Sequence, residues 1–379
     1  MRQNSRWRNF AVNSLTVLGS VVFTLLALEA VFRLLPVATA PWVQPATPEN
    51  PVQRYVANMP FTWSVGWNFK IVSHGRTNVQ GFIAGYDYDT AATTPLVAVV
   101  GDSFVEAMPV RFQDSLTGKL QQALGARGRA YSFAQSGAPL SQYIAYARHA
   151  CELYRPERLV ILVVGNDFDE SVYAKRARNG FFHLHPKPGG GFDFKLSPVP
   201  PMSVAERIGR NSALALYFFR NVSKSGLIQL LTIGRAQADE RKVGPYVGNT
   251  LASADAARIA EGEQVIDWFL DQLGSLCVKP DGVVIVVDAP RPEIYDPGML
   301  EAVRESYFGR MRARVLAEGA ARGFRTVDLQ DAFVASYAKD QRRFEPSIDN
   351  HWDEHGHDVA AAAIVARLGD WQPLSAGAR

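Results

Sequence analysis

The segment Leu96-Val97-Ala98-Val99-Val100 is an unbroken apolar, mostly β-branched run that stops at Gly101, with a helical pattern after it. A strand with one wet face alternates polar and apolar residues, so a continuous run of this length reads as a strand buried on both faces. Residues 129–133, 159–164, 282–287 and 324–329 read as further strands of the same sheet. Helical periodicity fills 253–276, 303–318 and 354–368 between and after them. Strands covered on both faces need helices on both sides, which makes the expected class α/β with a parallel sheet.

Chemistry-bearing residues collect where these strands end. Gly101-Asp102-Ser103-Phe104 follows the first strand, Gly165-Asn166-Asp167 follows the run 159–164, and Asp349-Asn350-His351-Trp352 precedes the last helix. Open α/β sheets place ligands at the carboxyl ends of their strands. A serine attacks a carbonyl when a base takes its proton, and the base works best when a carboxylate fixes its tautomer. Ser103, His351 and Asp349 can fill those roles. The resulting oxyanion needs preorganised donors, and Asn166 is the candidate side chain. Each residue also has a plainer reading. Asp102 and Asp167 are expected as local hydrogen-bonding or capping residues, and Ser103 alone would pass for a cap.

In this order and setting the segments resemble the SGNH, or GDSL-type, hydrolases, whose four blocks are a GDS serine, a glycine, a GxND asparagine and a DxxH or DxH segment. The glycine block is Phe133-Ala134-Gln135-Ser136-Gly137-Ala138. The resemblance covers roughly residues 95–368 and implies a three-layer α/β/α sandwich with a flavodoxin-like parallel sheet. It also implies Ser103, His351 and Asp349 as catalytic residues, and the Ser103 amide, the Gly137 amide and Asn166 as the oxyanion hole. The DxH spacing and the His351-Trp352 pair are similar to membrane-anchored O-acetyltransferase-like proteins of bacterial exopolysaccharide systems. Val105 replaces the last glycine of the lipase elbow Gly-x-Ser-x-Gly, which argues against the α/β-hydrolase fold.

The N-terminus sets the expected compartment. Residues 10–35 are apolar with few interruptions, and crossing a bilayer takes about 20 such residues. Arg2, Arg6 and Arg8 precede the stretch without a nearby acid, which keeps the extreme N-terminus cytoplasmic and sends the rest out. Ala38-Thr39-Ala40 has the form of a signal-peptide cleavage site, and that reading competes. Pro41 and the length of the apolar span favour a retained anchor. Glu29 and Arg33, one turn apart, are placed to pair at its outer end. The expected organisation is a cytoplasmic N-terminus (1–9), a transmembrane signal anchor (10–36), a Pro-rich stalk and entry segment (37–94), and a catalytic domain (95–372) with an insertion at about 168–255.

Within the insertion, Phe181 to His185 and Phe192 to Leu196 flank a Gly-rich turn and read as a hairpin, with His183 and His185 expected at the surface. Residues 204–235 mix apolar positions with Arg207, Arg210, Arg220, Lys224 and Arg235. They read as helices covering the core, with a basic amphipathic face toward a membrane, or a lid, as the sharper alternative. Cys151 and Cys277 pair or stay as buried thiols; spacing does not decide between them.

Over 379 residues, 40 basic against 37 acidic side chains give a net charge of +3, too even to indicate a nucleic-acid partner. His351, His355 and His357 lie close together near Asp349 and Asp353, but the His-Glu-x-x-His order of zinc proteases is missing, and no metal or cofactor is assigned. The expected function is a membrane-anchored serine esterase or O-acyl(acetyl)transferase acting on carbohydrate acyl esters. It would be held in the bacterial inner membrane by one helix and face the periplasm or exterior. As a transferase without its own donor site it would need a neighbouring membrane acyl carrier, and a membrane acyltransferase is the candidate partner. A lipid esterase or thioesterase, and a catalytically silent polysaccharide-binding protein, are the alternatives.

Overall fold

A computed structural model of the chain describes residues 2–47, 50–176, 178–222, 246–291 and 293–368, which divide between a smaller and a larger unit. The smaller unit is built on α1 (Arg2–Phe32). Over Trp7–Phe32 this helix is long and apolar enough to cross a membrane, with a mean hydropathy of 2.2 across its most apolar 18 residues. At its end Arg33 Nε donates to Glu29 Oε1 at 2.8 Å, the pairing expected from their spacing. Glu29 also accepts from Ser212 Oγ at 2.8 Å and from the amides of Ala213 and Leu214 at 3.0 Å. It thereby satisfies the first donors of the helix Ala213–Leu216. The preceding helix, Val204–Asn211, opens with a capping box between Ser203 and Glu206. Tyr217 packs its ring 4.4 Å from that of Phe32, and buried Asn221 accepts from the Ala38 amide at 3.0 Å. Of the expected basic and apolar positions in 204–235, Lys224, Leu227, Leu230, Leu231 and Arg235 lie outside the described residues.

The larger unit holds the sheet: β1 (Leu96–Gly101), β2 (Arg129–Ala134), β3 (Arg158–Val163), β4 (Val283–Val287) and β5 (Arg325–Asp328). Their order is β2-β1-β3-β4-β5 with every neighbouring pair parallel, the flavodoxin-like arrangement. Side-chain alternation divides β1 to β4 between two cores. Ala98, Val100, Ile161, Val163 and Ile285 face one, and Val97, Val99, Val160, Leu162 and Val286 face the other. The short α2 (Ser103–Glu106) leaves β1 directly. On the second face α3 (Leu116–Leu124) contributes Leu116 and Leu120 to the core. On the first lie α4 (Leu140–Tyr154), α5 (Ala256–Gly274) and α6 (Tyr307–Ala321). The second face is completed by α7 (Leu329–Asp340) and α8 (Glu354–Leu368). The result is a three-layer α/β/α sandwich.

Four details differ from the sequence expectations or resolve them. The helix expected over 303–318 is broken at Ser306, whose Oγ caps α6 by accepting from the Gly309 amide at 3.1 Å. No helix was expected at α7, where only Leu329 and Phe333 are buried, too few to print a periodic stripe. Cys151 and Cys277 form a disulfide with Cα atoms 5.7 Å apart. Earlier in the chain, Val52, Phe82, Ala84 and Tyr88 join the first core. The hairpin forms as Phe182–Pro186 against Phe192–Leu196, antiparallel, but His183 is fully buried rather than at the surface. Its Nδ1 lies 2.9 Å from Ser197 Oγ and its Nε2 accepts from the Arg178 amide at 3.2 Å. Those partners offset the cost of burying a polar ring.

Candidate active site

Parallel pairing sets the ends of β1, β2 and β3 side by side: Gly101 is opposite Ala134, and Val100 is opposite Ile161. Gly101 is needed because the chain folds straight back into α2. A Cβ there would come within 2.4 Å of Val105 Cγ2. Asp102 caps α2, its Oδ1 accepting from the Phe104 amide at 2.9 Å, as expected of a local hydrogen-bonding residue. Half-buried Ser103 donates its Oγ proton to Asp102 Oδ2 at 3.3 Å. Burial pushes the Asp102 carboxyl up to about 6, against the opposing pull of its hydrogen bonds and the His351 charge.

Gly137 follows β2 with φ +76°, a conformation that favours glycine. A Cβ on it would lie 1.9 Å from Arg178 Nη1, so the guanidinium packs directly on the glycine. Arg178 Nε is also 3.6 Å from Glu170 Oε2. The loop is tied to α2 by Glu106, which accepts from the Ser136 amide at 3.1 Å, from Ser136 Oγ, and from Tyr55 Oη at 2.5 Å. Burial pushes Glu106 up to about 7 in spite of these bonds. One buried carboxyl thus joins the helix carrying Ser103 to the residue before Gly137.

Asn166 lies at the end of the neighbouring strand, in a turn that requires Gly165, where a Cβ would meet Gly248 O at 2.0 Å. Asp167 closes the turn, accepting from the Val164 amide at 2.8 Å and from Tyr143 Oη at 3.0 Å. The Asn166 carbonyl accepts from the Glu170 amide at 3.0 Å, and its side chain does not cap the helix that follows.

The third element is the loop before α8. Asp349 Oδ1 lies 2.5 Å from His351 Nδ1 and accepts from the His351 amide at 2.9 Å. Burial by itself would lower the His351 pKa, but the bond and charge of Asp349, with Asp102 and Glu106 behind them, raise it. Burial would likewise raise Asp349, and the His351 bond outweighs it, leaving that carboxyl below its ordinary range. The His351 ring lies 5.1 Å from that of Phe104, the residue after Ser103.

Sequence reasoning missed what holds this loop. Trp352 is fully buried and donates from Nε1 to Asp288 Oδ1 at 3.1 Å, just past the end of β4. Asp288 makes a two-pronged ion pair with buried Arg291 at 2.6 and 2.9 Å, and Arg291 Nη2 donates to the Asn350 carbonyl at 3.4 Å. The available signal was Asp288-Ala289-Pro290-Arg291 immediately after a buried strand, a charged pair where the sheet edge ends. The neighbouring histidines are engaged elsewhere. His357 Nδ1 accepts from the Leu116 amide at 3.1 Å, and His355 stacks on Phe344 at 5.1 Å. Among the described residues no group of three or more His, Cys, Asp or Glu side chains is placed to hold a metal ion.

No family model matches the sequence, and no curated protein matches it. Solved structures similar to this chain include a lipase/acylhydrolase from Enterococcus faecalis, at 11% identity and a TM-score of 0.38, covering 73% of this chain and 95% of that one. Another is an α/β hydrolase enzyme from the metagenome of Lake Arreo, Spain, at 16% identity and a TM-score of 0.37, covering 74% and 96%. A two-domain esterase active on acetylated mannans is similar at 10% identity and a TM-score of 0.34, covering 74% of this chain and 49% of its own.

Proposed function

We propose that this chain is a membrane-anchored serine esterase or O-acyltransferase that works on acyl esters of carbohydrate through an acyl-enzyme on Ser103. The observation that carries the reading is the 2.5 Å Asp349–His351 pair set beside the helix that presents Ser103 at the carboxyl edge of the sheet. His351 Nε2 takes the Ser103 proton as Oγ attacks the ester carbonyl, and Asp349 holds Nδ1–H and stabilises the imidazolium. The Ser103 and Gly137 amides and the Asn166 side chain receive the oxyanion, and His351 returns the proton to the departing alcohol. Water then releases the acid, or a sugar hydroxyl takes the acyl group; this step alone separates esterase from transferase.

In this reading α1 anchors the chain in the inner membrane, and the domain of about residues 95–372, with its insertion at about 168–255, works outside the cytoplasm. The Cys151–Cys277 disulfide supports an oxidising compartment. A carbohydrate substrate, and a membrane acyltransferase as donor partner, suit an enzyme held at the surface where polysaccharide is built.

The test is fluorophosphonate labelling of the full chain in detergent, with the Ser103→Ala and His351→Ala variants alongside. Labelling of the parent that disappears in Ser103→Ala and falls by about 10³-fold or more in His351→Ala is expected. A folded parent that takes no label overturns the acyl-enzyme. Acetate release from acetylated oligosaccharides, with and without an acceptor sugar, then distinguishes the two outcomes.

A further inference from the structure

Within the smaller unit, the last turns of α1 and the helix Val204–Asn211 enclose an open groove of about 760 Å³. Its walls are apolar, with Leu25 and Leu26 on one side and Ile208 and Leu214 on the other, while Arg33 and Arg207 also line it. Leu25, Leu26 and Ile208 are 51%, 65% and 66% exposed, so the groove continues the bare surface of the helix long enough to cross a membrane. Val204, one turn before Ile208, and Phe219 are exposed as well, at 71% and 72%. The geometry is fixed from the α1 side. Glu29 accepts from Ser212, Ala213 and Leu214, and Arg33 Nη2 donates to the Asn211 carbonyl at 3.1 Å.

We propose that this groove binds a phospholipid with an anionic headgroup from the surrounding bilayer, an acyl chain lying against Leu25, Leu26 and Ile208 and the phosphate meeting Arg207 and Arg33. The inference rests on α1 being membrane-embedded and assigns the ligand of a surface that anchoring alone leaves open. Charge selects the headgroup. The acid in the groove, Glu29, is paired with Arg33 and also accepts from Ser212, Ala213 and Leu214, so the net positive charge of the lining is that of Arg207, which sets the local sign. Depth selects a lipid over a soluble anion. The groove spans the final two turns of the apolar segment, where headgroups meet acyl chains, and Val204 and Ile208 supply an exposed apolar face on the helix Val204–Asn211, with Phe219 exposed on the turn of helix beyond it. The segment 204–222 is then seated on the membrane surface instead of moving as a lid.

The full chain with Ile208→Cys, labelled with bimane, provides the test, because the native cysteines are joined and the introduced thiol reacts alone. In nanodiscs, bimane at this position is expected to be quenched by doxyl-labelled phosphatidylglycerol about fivefold more than by the same fraction of doxyl-labelled phosphatidylcholine. Adding Arg207→Gln is expected to remove most of that preference, and inorganic phosphate is expected to leave it unchanged. Equal quenching by the two lipids, or quenching by aqueous iodide instead, overturns the proposal, as does competition by inorganic phosphate. Bimane at Leu18→Cys separates the two failures. If lipid does not quench Leu18, anchoring itself is wrong; if Leu18 is quenched while Ile208 stays open to iodide, only the groove assignment falls.

Discussion

Glu106 is the residue whose chemistry the sequence least announced. It stands three positions after Ser103 in an ordinary-looking helix start, yet it is buried and holds Ser136 and Tyr55 at once. Its carboxyl is pushed from an ordinary 4.5 up to about 7, so the folded protein keeps the proton more tightly than the unfolded chain. Raising the pH through that window therefore removes stability, by up to about 3 kcal/mol from this group. Asp102 shifts in the same direction but is common to parent and variant. Urea unfolding at about pH 5 and about pH 7.5 should show a smaller stability loss in Glu106→Gln than in the parent. Parallel losses would mean that Glu106 ionises normally. The segments used in the proposed mechanism could be picked out because Gly101 to Ser103 and Gly165 to Asp167 follow buried strands, Asp349 to His351 precedes the last helix, and together they supply a nucleophile, a base and an acid in a fixed order. Glu106, Arg178, Asp288 and Arg291 were not, because their roles arise only when segments distant in sequence meet. His183 was misjudged for the same reason: nothing near it in sequence reveals that Ser197 will receive its ring.

At the level of elements, legibility followed burial. The central strands β1, β3 and β4 could be read because they are covered on both faces and almost uniformly apolar, and α8 because its range is set off by the loop before it. What failed was α7, with two buried side chains, and the break at Ser306, where a polar cap interrupts an otherwise helical pattern. The disulfide falls between these cases, since two cysteines separated by 126 residues do not reveal whether their helices meet. In the fold Cys151 on α4 is joined to Cys277, which lies just beyond α5 on the same face of the sheet. Closing a loop of that length is worth about 2–5 kcal/mol. The double variant Cys151→Ala/Cys277→Ala should lose that much in denaturant unfolding, and adding reductant to the parent should reproduce the loss. An unchanged midpoint in both would show that the link contributes nothing to the fold.

For the whole molecule, the sequence separated an anchor from an insertion and gave no sign that they belong together. The smaller unit joins them through Glu29 to Ser212, Phe32 to Tyr217 and Ala38 to Asn221. Removing residues 1–40 deletes one side of each contact. In that fragment trypsin should cut at Arg207 and Arg210 about tenfold faster than in the full chain, while β1 to β5 stay protected. Equal rates would show that 201–222 holds its shape without α1. The same contacts bear on how the chain is made. Glu29 and Ser212 are 183 residues apart, so if the chain enters the membrane in the proposed orientation while it is being made, the carboxylate reaches the lipid boundary well before its serine and amide partners have been synthesised. A bare carboxylate there is costly. In that orientation arrival of the 201–222 segment would relieve the cost, and closure of the smaller unit would come only after the first three strands of the sheet have been translated.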